Sequence, residues 1–171
     1  MYALKQTRGS EQRSRRFKRL ERTSDTAEIK GIVTHPRVFP HVVDDYSPAP
    51  TEWQPIMRDG LAYFLVIDDL DRAVGLFAVE ARSHTHFDYH VCFLPEGYGA
   101  IAESAAHALF DLIFSSTPCV RITGDVPAYN RAALQYASRV GMRAFAVNEK
   151  SHRRCGVLHD TICFGISKPG A

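Results

Sequence analysis

Nowhere in its 171 residues does the chain carry an apolar run approaching the roughly 20 residues of a membrane span. Between Lys5 and Arg22 there is no apolar h-region, so the start does not read as a signal peptide and a cytoplasmic protein is expected. Cysteine is sparse: Cys92, Cys119, Cys155 and Cys163 form no CxxC pair and show no zinc-ribbon spacing. Three of them, Cys92, Cys119 and Cys163, sit in apolar strand-like runs, where a free thiol behaves as a small buried hydrophobe. A nucleophilic Cys92 is the weaker alternative. There is no Gly-Lys-Ser/Thr and no GxGxxG, which leaves nucleotide hydrolysis and dinucleotide binding with little support. No internal repeat or long low-complexity segment is present, and tryptophan occurs once, at Trp53.

What is present is ordinary for a globular chain: 45% hydrophobic and 23% charged residues, in a length that suits one domain with one sizeable core. The net charge of +2 conceals an asymmetry. Residues 1–22 hold eight Lys/Arg against Glu11 and Glu21, a balance of +6, so the remainder is −4. Residues 1–14 read as a basic arm, disordered or solvated, and residues 15–171 as a single domain. Such an arm can bind nucleic acid or an acidic partner. Only Tyr2 and Phe17 are interleaved with it, which counts against nucleic acid.

Periodicity and capping signals give the order β-α-α-β-β-β-α-β-α-β-β. A strand over 17–22 precedes a helix through Val33, with Ser24 or Asp25 as N-cap and Glu28 placed to complete a capping box with Asp25. Pro36 opens a short second helix through Val43. The Ser47–Pro50 stretch is a loop, and Trp53 beside it is a lid over the core edge or a wall of a cleft. Strands follow over 62–68, 73–80 and 85–94. Ile101, Ala105, Ala108, Leu109, Leu112 and Ile113 then form one buried helical face over 99–114. A strand over 119–125 leads to a helix over 131–140 with Asn130 as N-cap and Gly141 as its C-terminal glycine. Strands over 143–147 and 157–166 enclose a polar loop, 148–156. The fold class is α/β with a mixed, twisted sheet.

The strand, glycine turn and helix across 85–114 form a natural anion site, because unpaired N–H groups and the helix dipole converge on the turn. Three pieces of sequence resemble the GNAT N-acetyltransferase superfamily over residues 15–167: Leu94-Pro95-Glu96-Gly97-Tyr98-Gly99-Ala100-Ile101-Ala102, Val126-Pro127-Ala128-Tyr129-Asn130-Arg131-Ala132-Ala133, and Val140-Gly141-Met142. Thr34-His35-Pro36, Asp44-Asp45 and Asn130-Arg131-Ala132 are also similar to small members encoded by bacteriophages and prophages. The resemblance implies a mostly antiparallel sheet with a central splay, acetyl-CoA as cofactor, and an amine acceptor that is a small molecule or a protein. It implies a pyrophosphate loop at Gly97, Tyr98, Gly99, Ala100, Ile101 and Ala102, and contacts to the pantetheine arm from Asn130 and Ala133. It also implies a carbonyl-polarising backbone amide near Cys92, Phe93 and Leu94. Two departures stand out: the Gln/Arg that heads the family's loop is missing in either alignment, and the family's Tyr position is taken by Ala137, with Tyr136 one residue and about 100° away. These departures motivate the alternative of a degenerate binding protein on the same fold.

Transfer to an amine needs a base. Alternation places His86, Asp88, His90 and Cys92 on one strand face, and the order of preference for the base is His90, then Asp88, then His86. The same row is not a metal site, since alternate strand residues stand roughly 7 Å apart. His35, Asp44 and Asp45 fall in the segment that shapes the family's acceptor site. His159-Asp160 either orients a substrate or caps a loop.

Overall fold

The computed structural model describes residues 15–171; the basic arm over 1–14 lies outside the described residues. Among them, seven strands form one sheet: β1 (Phe17–Thr23), β2 (Leu61–Asp68), β3 (Ala73–Ala81), β4 (His86–Phe93), β5 (Arg121–Pro127), β6 (Arg143–Arg154) and β7 (Val157–Ser167). Their spatial order is β1-β2-β3-β4-β5-β7-β6. The helices are α1 (Thr26–Val33), α2 (Phe39–Val42), α3 (Ala100–Ser116) and α4 (Arg131–Arg139). Every strand pair is antiparallel except β4–β5, which is parallel because α3 carries the chain back along the sheet between them. The mixed, mostly antiparallel sheet expected from the sequence is therefore present.

Local chemistry sets the helix ends. The Asp25 carboxylate accepts from the N–H groups of Ala27 (2.8 Å) and Glu28 (3.2 Å), as an N-cap should. The capping box closes differently from the expectation: Glu28 takes the Thr23 hydroxyl, and the Asp25 N–H donates to that same hydroxyl oxygen. Pro36 opens a turn rather than a helix, with Val38 and Phe39 N–H both donating to His35 O, so α2 starts only at Phe39. Asn130 caps α4 through Ala133 N–H at 3.2 Å, and Gly141 leaves it at φ 86°.

The polar stretch 148–156 is not a loop. β6 continues to Arg154 and pairs with β7 as far as Arg154↔Val157, past a bulge between Asn148 and His152. Its residues are polar because nearly the whole strand is exposed. Cys155 (φ 51°) and Gly156 (φ 77°) make the two-residue turn, both in the left-handed conformation that such hairpins demand.

Two cores cover the two faces of the sheet. On one, Phe77, Tyr89 and Phe93 meet Ile101, Ala105, Leu109, Phe110 and Ile113 of α3, together with Ala137 of α4. On the other, Tyr63, Leu65 and Leu76 meet Ile29, Ile32 and Val33 of α1 and Phe39 of α2. Each large apolar side chain buried this way contributes roughly 1.5–3 kcal/mol.

β4 and β5 share only three registered pairs, His86↔Arg121, Phe87↔Ile122 and Asp88↔Thr123, and then part. The last pair is stitched through side chains. Thr123, only 9% exposed, donates its hydroxyl to Asp88 Oδ1 and lies 2.6 Å from His86 Nε2, while Arg82 Nε donates to Asp88 Oδ2 at 2.5 Å. Burial favours the neutral form of Asp88, but the bonds from Thr123 and Arg82 outweigh it and hold the carboxyl below its usual range. A depressed folded pKa stabilises fully above the unfolded carboxylate value of about 4 and is lost as pH falls through the folded value. Asp88→Asn is therefore expected to cost about 1–3 kcal/mol at pH 7. The difference between variant and wild type should shrink toward pH 2–3, as urea unfolding at the two pH values would measure. An equal loss at both would place the effect in packing instead.

Candidate active site

The parting of β4 and β5 opens a cleft of about 870 Å³. At one end it is lined by the starts of α3 and α4 (Tyr98, Gly99, Ala102, Asn130, Ala133, Tyr136), and at the other by the α1–β2 segment (Arg37, His41, Trp53, Arg58). Between the ends runs β4, including His90, Cys92 and Phe93.

The peptide groups of β4 point alternately to its two neighbours. Leu94 N–H donates to Val74 O at 3.0 Å, so Leu94 and Cys92 direct their amides to β3. Val91 and Phe93 direct theirs toward β5, which no longer pairs beyond Thr123. Of the three backbone positions expected to polarise a carbonyl, only Phe93 faces the gap. Val91 joins it, a residue that the motif alone did not single out. The Cys92 thiol packs against the core beneath α1, and burial pushes it up to about 12, which disfavours the thiolate that a nucleophile needs.

Gly97 and Gly99 do different jobs. Gly97 is buried, and a Cβ there would fall on the Val74 carbonyl oxygen and the Phe93 ring, so it serves packing. Gly99 sits at φ 74°, ψ −129°, with open space around it, and leads directly into α3. No side chain caps α3, and Glu103 N–H is the first to close onto a carbonyl, that of Gly99 at 3.0 Å. The amides of Ala100, Ile101 and Ala102 therefore have no preceding carbonyl to bond within the helix. The helix start that carries them lines the cleft through Gly99 and Ala102, at an end where negative charge is favoured. The acyl-sized small residues at this point matter through the backbone they expose; the side chains of Ile101 and Ala102 are buried. Asn130 spends its oxygen on the α4 cap, leaving its amide NH2 as the group able to meet a ligand. Tyr136 packs against Phe93 (centroids 6.1 Å apart), with its hydroxyl 3.4 Å from Ala102 O; burial, with Tyr89 beside it, pushes the phenol up and keeps it protonated. Ala137 is buried in the α4 core.

The candidate bases separate cleanly. His90 is exposed and lines the cleft. Asp88 and His86 sit at the closed end of the splay, outside the cleft lining, and are engaged with Thr123 and Arg82. His35, Asp44 and Asp45 are likewise outside the lining. His35 Nδ1 accepts Arg37 N–H at 3.2 Å. Asp44 accepts the Ser47 hydroxyl and Tyr46 N–H, bonds that keep its carboxyl below the usual range. Asp45 accepts the N–H groups of Cys155 (2.6 Å) and Gly156 (2.7 Å), tying the tip of the β6–β7 hairpin to this segment. Asp160 accepts Lys150 N–H across the bulge, and His159 stacks edge-on against Tyr129. Sequence reasoning missed Arg37, His41, Arg58, Glu80 and Asp125, all of which line the cleft. Glu80 and Asp125 could have been found only by knowing that their strands flank β4.

No protein-family profile matches the sequence, and no curated protein sequence matches it. Solved structures do match. A spermidine N-acetyltransferase from Vibrio cholerae, in complex with CoA and spermine, superposes with a TM-score of 0.74 at 15% identity, over 87% of this chain and 94% of that one. A chimera of the same Vibrio enzyme gives 0.73 at 16% identity with the same coverage. A GNAT-family acetyltransferase from Bacillus anthracis gives 0.57 at 19% identity, over 61% of this chain and 65% of its own. The chain has the GNAT acetyltransferase fold.

Proposed function

We propose that the protein is an acetyl-CoA-dependent N-acetyltransferase that acts on a small-molecule amine. The observation carrying this reading is that the cleft joins an uncapped helix start, two unpaired strand amides and an exposed histidine. The amides of Ala100–Ala102 fit a pyrophosphate, and the amides of Val91 and Phe93 fit the pantetheine arm and the thioester carbonyl. The acceptor enters from the α1–β2 end and reaches His90 on β4, between the two ends. The amine nitrogen forms the new C–N bond as the C–S bond breaks; its proton goes to His90, directly or through one water, and sulfur leaves as the thiolate. That the Vibrio neighbour is described with CoA and spermine supports both the cofactor and an amine acceptor. Lacking a Gln/Arg at the head of the loop, the chain holds phosphate through backbone alone.

Calorimetry with acetyl-CoA is expected to show binding, and no heat at millimolar ligand would return the reading to a binding protein that merely shares the fold. Ala100→Glu separates ligand from fold by sign. A carboxylate in the first turn of α3 stabilises the helix by roughly 0.3–1 kcal/mol yet repels a pyrophosphate. The variant should keep or raise its Tm while losing about tenfold or more in CoA affinity.

His90→Ala should lower kcat by about 10²-fold or more, with CoA affinity retained. The variant's pH–rate profile should change shape with it. A profile of unchanged shape would assign the proton to another group.

A further inference from the structure

The charges at the acceptor end of the cleft are arranged unevenly, and their arrangement selects a class of amine. Asp88 and Thr123 are registered partners, so two residues further along each strand His90 and Asp125 stand on the same sheet face, on opposite banks of the splay. Both line the cleft, and no ion pair engages the Asp125 carboxylate among the described residues. Beyond lies an apolar stretch walled by Val38, Trp53 and Tyr63, with the Tyr63 hydroxyl turned away to Ile56 O at 2.9 Å. At the far side come two guanidinium groups. Arg58 is neutralised by Glu80, at 2.5 Å. Arg37 has no carboxylate partner among the described residues, and His41 is beside it in the same lining.

The net field at this rim is therefore positive. Among the described residues, Glu80 is the acid that lines this side of the cleft, and it is already committed to Arg58. A polycationic amine would bring a second ammonium toward Arg37 and find no free carboxylate to receive it. An amine with a negatively charged group at its other end meets the guanidinium instead. Size points the same way as charge. The same 870 Å³ must also admit the donor arm. Its rim is closed on one side by the β6–β7 hairpin, held to the 44–46 segment by Asp45 and by the Arg153 to Tyr46 bond.

Resting on the acetyltransferase reading above, we propose that the acceptor is a compact primary amine that also carries a carboxylate or comparable anion. His90 and Asp125 receive its ammonium, Trp53 and Tyr63 its apolar body, and Arg37 its anion.

The test compares matched acids and amides. Acetyl-CoA binding is measured first by calorimetry. Acetylated product is then quantified by mass spectrometry for L-phenylalanine and 4-(aminomethyl)benzoate, for the primary amide of each, and for spermidine. At least one acid should exceed its own amide in kcat/KM by about tenfold or more, with spermidine below that acid. Arg37→Gln should reduce the acid-to-amide ratio by about tenfold, and Arg37→Glu should bring it to one or below, both with wild-type melting temperatures. Amides equal to acids, spermidine preferred, or a ratio that Arg37→Glu does not move would each overturn the assignment of the acceptor. Absence of acetyl-CoA binding would instead remove the acetyltransferase reading on which it rests.

Discussion

Three residue pairs join β4 to β5, and the third, Asp88 with Thr123, is where the sheet opens. Parallel strands that simply ran on would satisfy each other's peptide groups, and there would be no cleft. Two features decide that they part here. The hydroxyl of Thr123 spends itself on the Asp88 carboxylate and the His86 ring, fixing the closed end in the plane of the sheet face. One residue later, Gly124 passes so close to Tyr89 that a Cβ would lie 3.0 Å from its carbonyl oxygen and 3.1 Å from its ring. The strand slides over the ring only because it has no side chain there. The unpaired amides of Val91 and Phe93 follow from that parting, as does a place for the ends of α3 and α4 to line.

Leaving strand amides without a partner is costly in a folded chain, because a buried N–H that loses its water must find another acceptor. On the proposed function, a thioester arm laid along β4 as a substitute strand recovers the bonds that β5 declined to make. The same logic holds at α3, whose start carries no capping side chain although α1 and α4 both have one. Of the two helix starts that line the cleft, that of α4 is capped by Asn130 and that of α3 is left open.

Much of this was legible before any coordinates. The apolar spacing from Ile101 to Ile113 marks α3, the capping signals at Ser24 or Asp25 and at Asn130 mark α1 and α4, and alternation sets His90 on one strand face with His86, Asp88 and Cys92. What could not be read is which strands lie side by side. Asp88 and His86 share their face with His90, and nothing local distinguishes them; only the pairing of β4 with β5 brings Thr123 against them and consumes both. Glu80 and Asp125 were invisible for the same reason. β6 was cut short because its outer half is solvated and carries no hydrophobic period, while hydrogen bonding to β7 continues regardless. Asp44 and Asp45 drew attention as a charged pair in a loop, yet the structure uses the second to hold two turn amides 110 and 111 residues away.

The resulting cleft is favourable to anions at both ends and to a cation only at its middle. At the α3 start the preference comes from peptide dipoles; at the rim beneath α1 it comes from Arg37, with Arg58 spent on Glu80. His90 and Asp125 lie between. Such an arrangement orients a molecule that has opposite charges at its two ends before it is fully bound, because the rim attracts its anion and the centre its ammonium. On the proposed reading the amine arrives nitrogen first, at the point where the strand amides and an imidazole unengaged among the described residues converge. Reversing the molecule would place like charges together at both positions, so the same residues that draw it in also set the direction in which it enters.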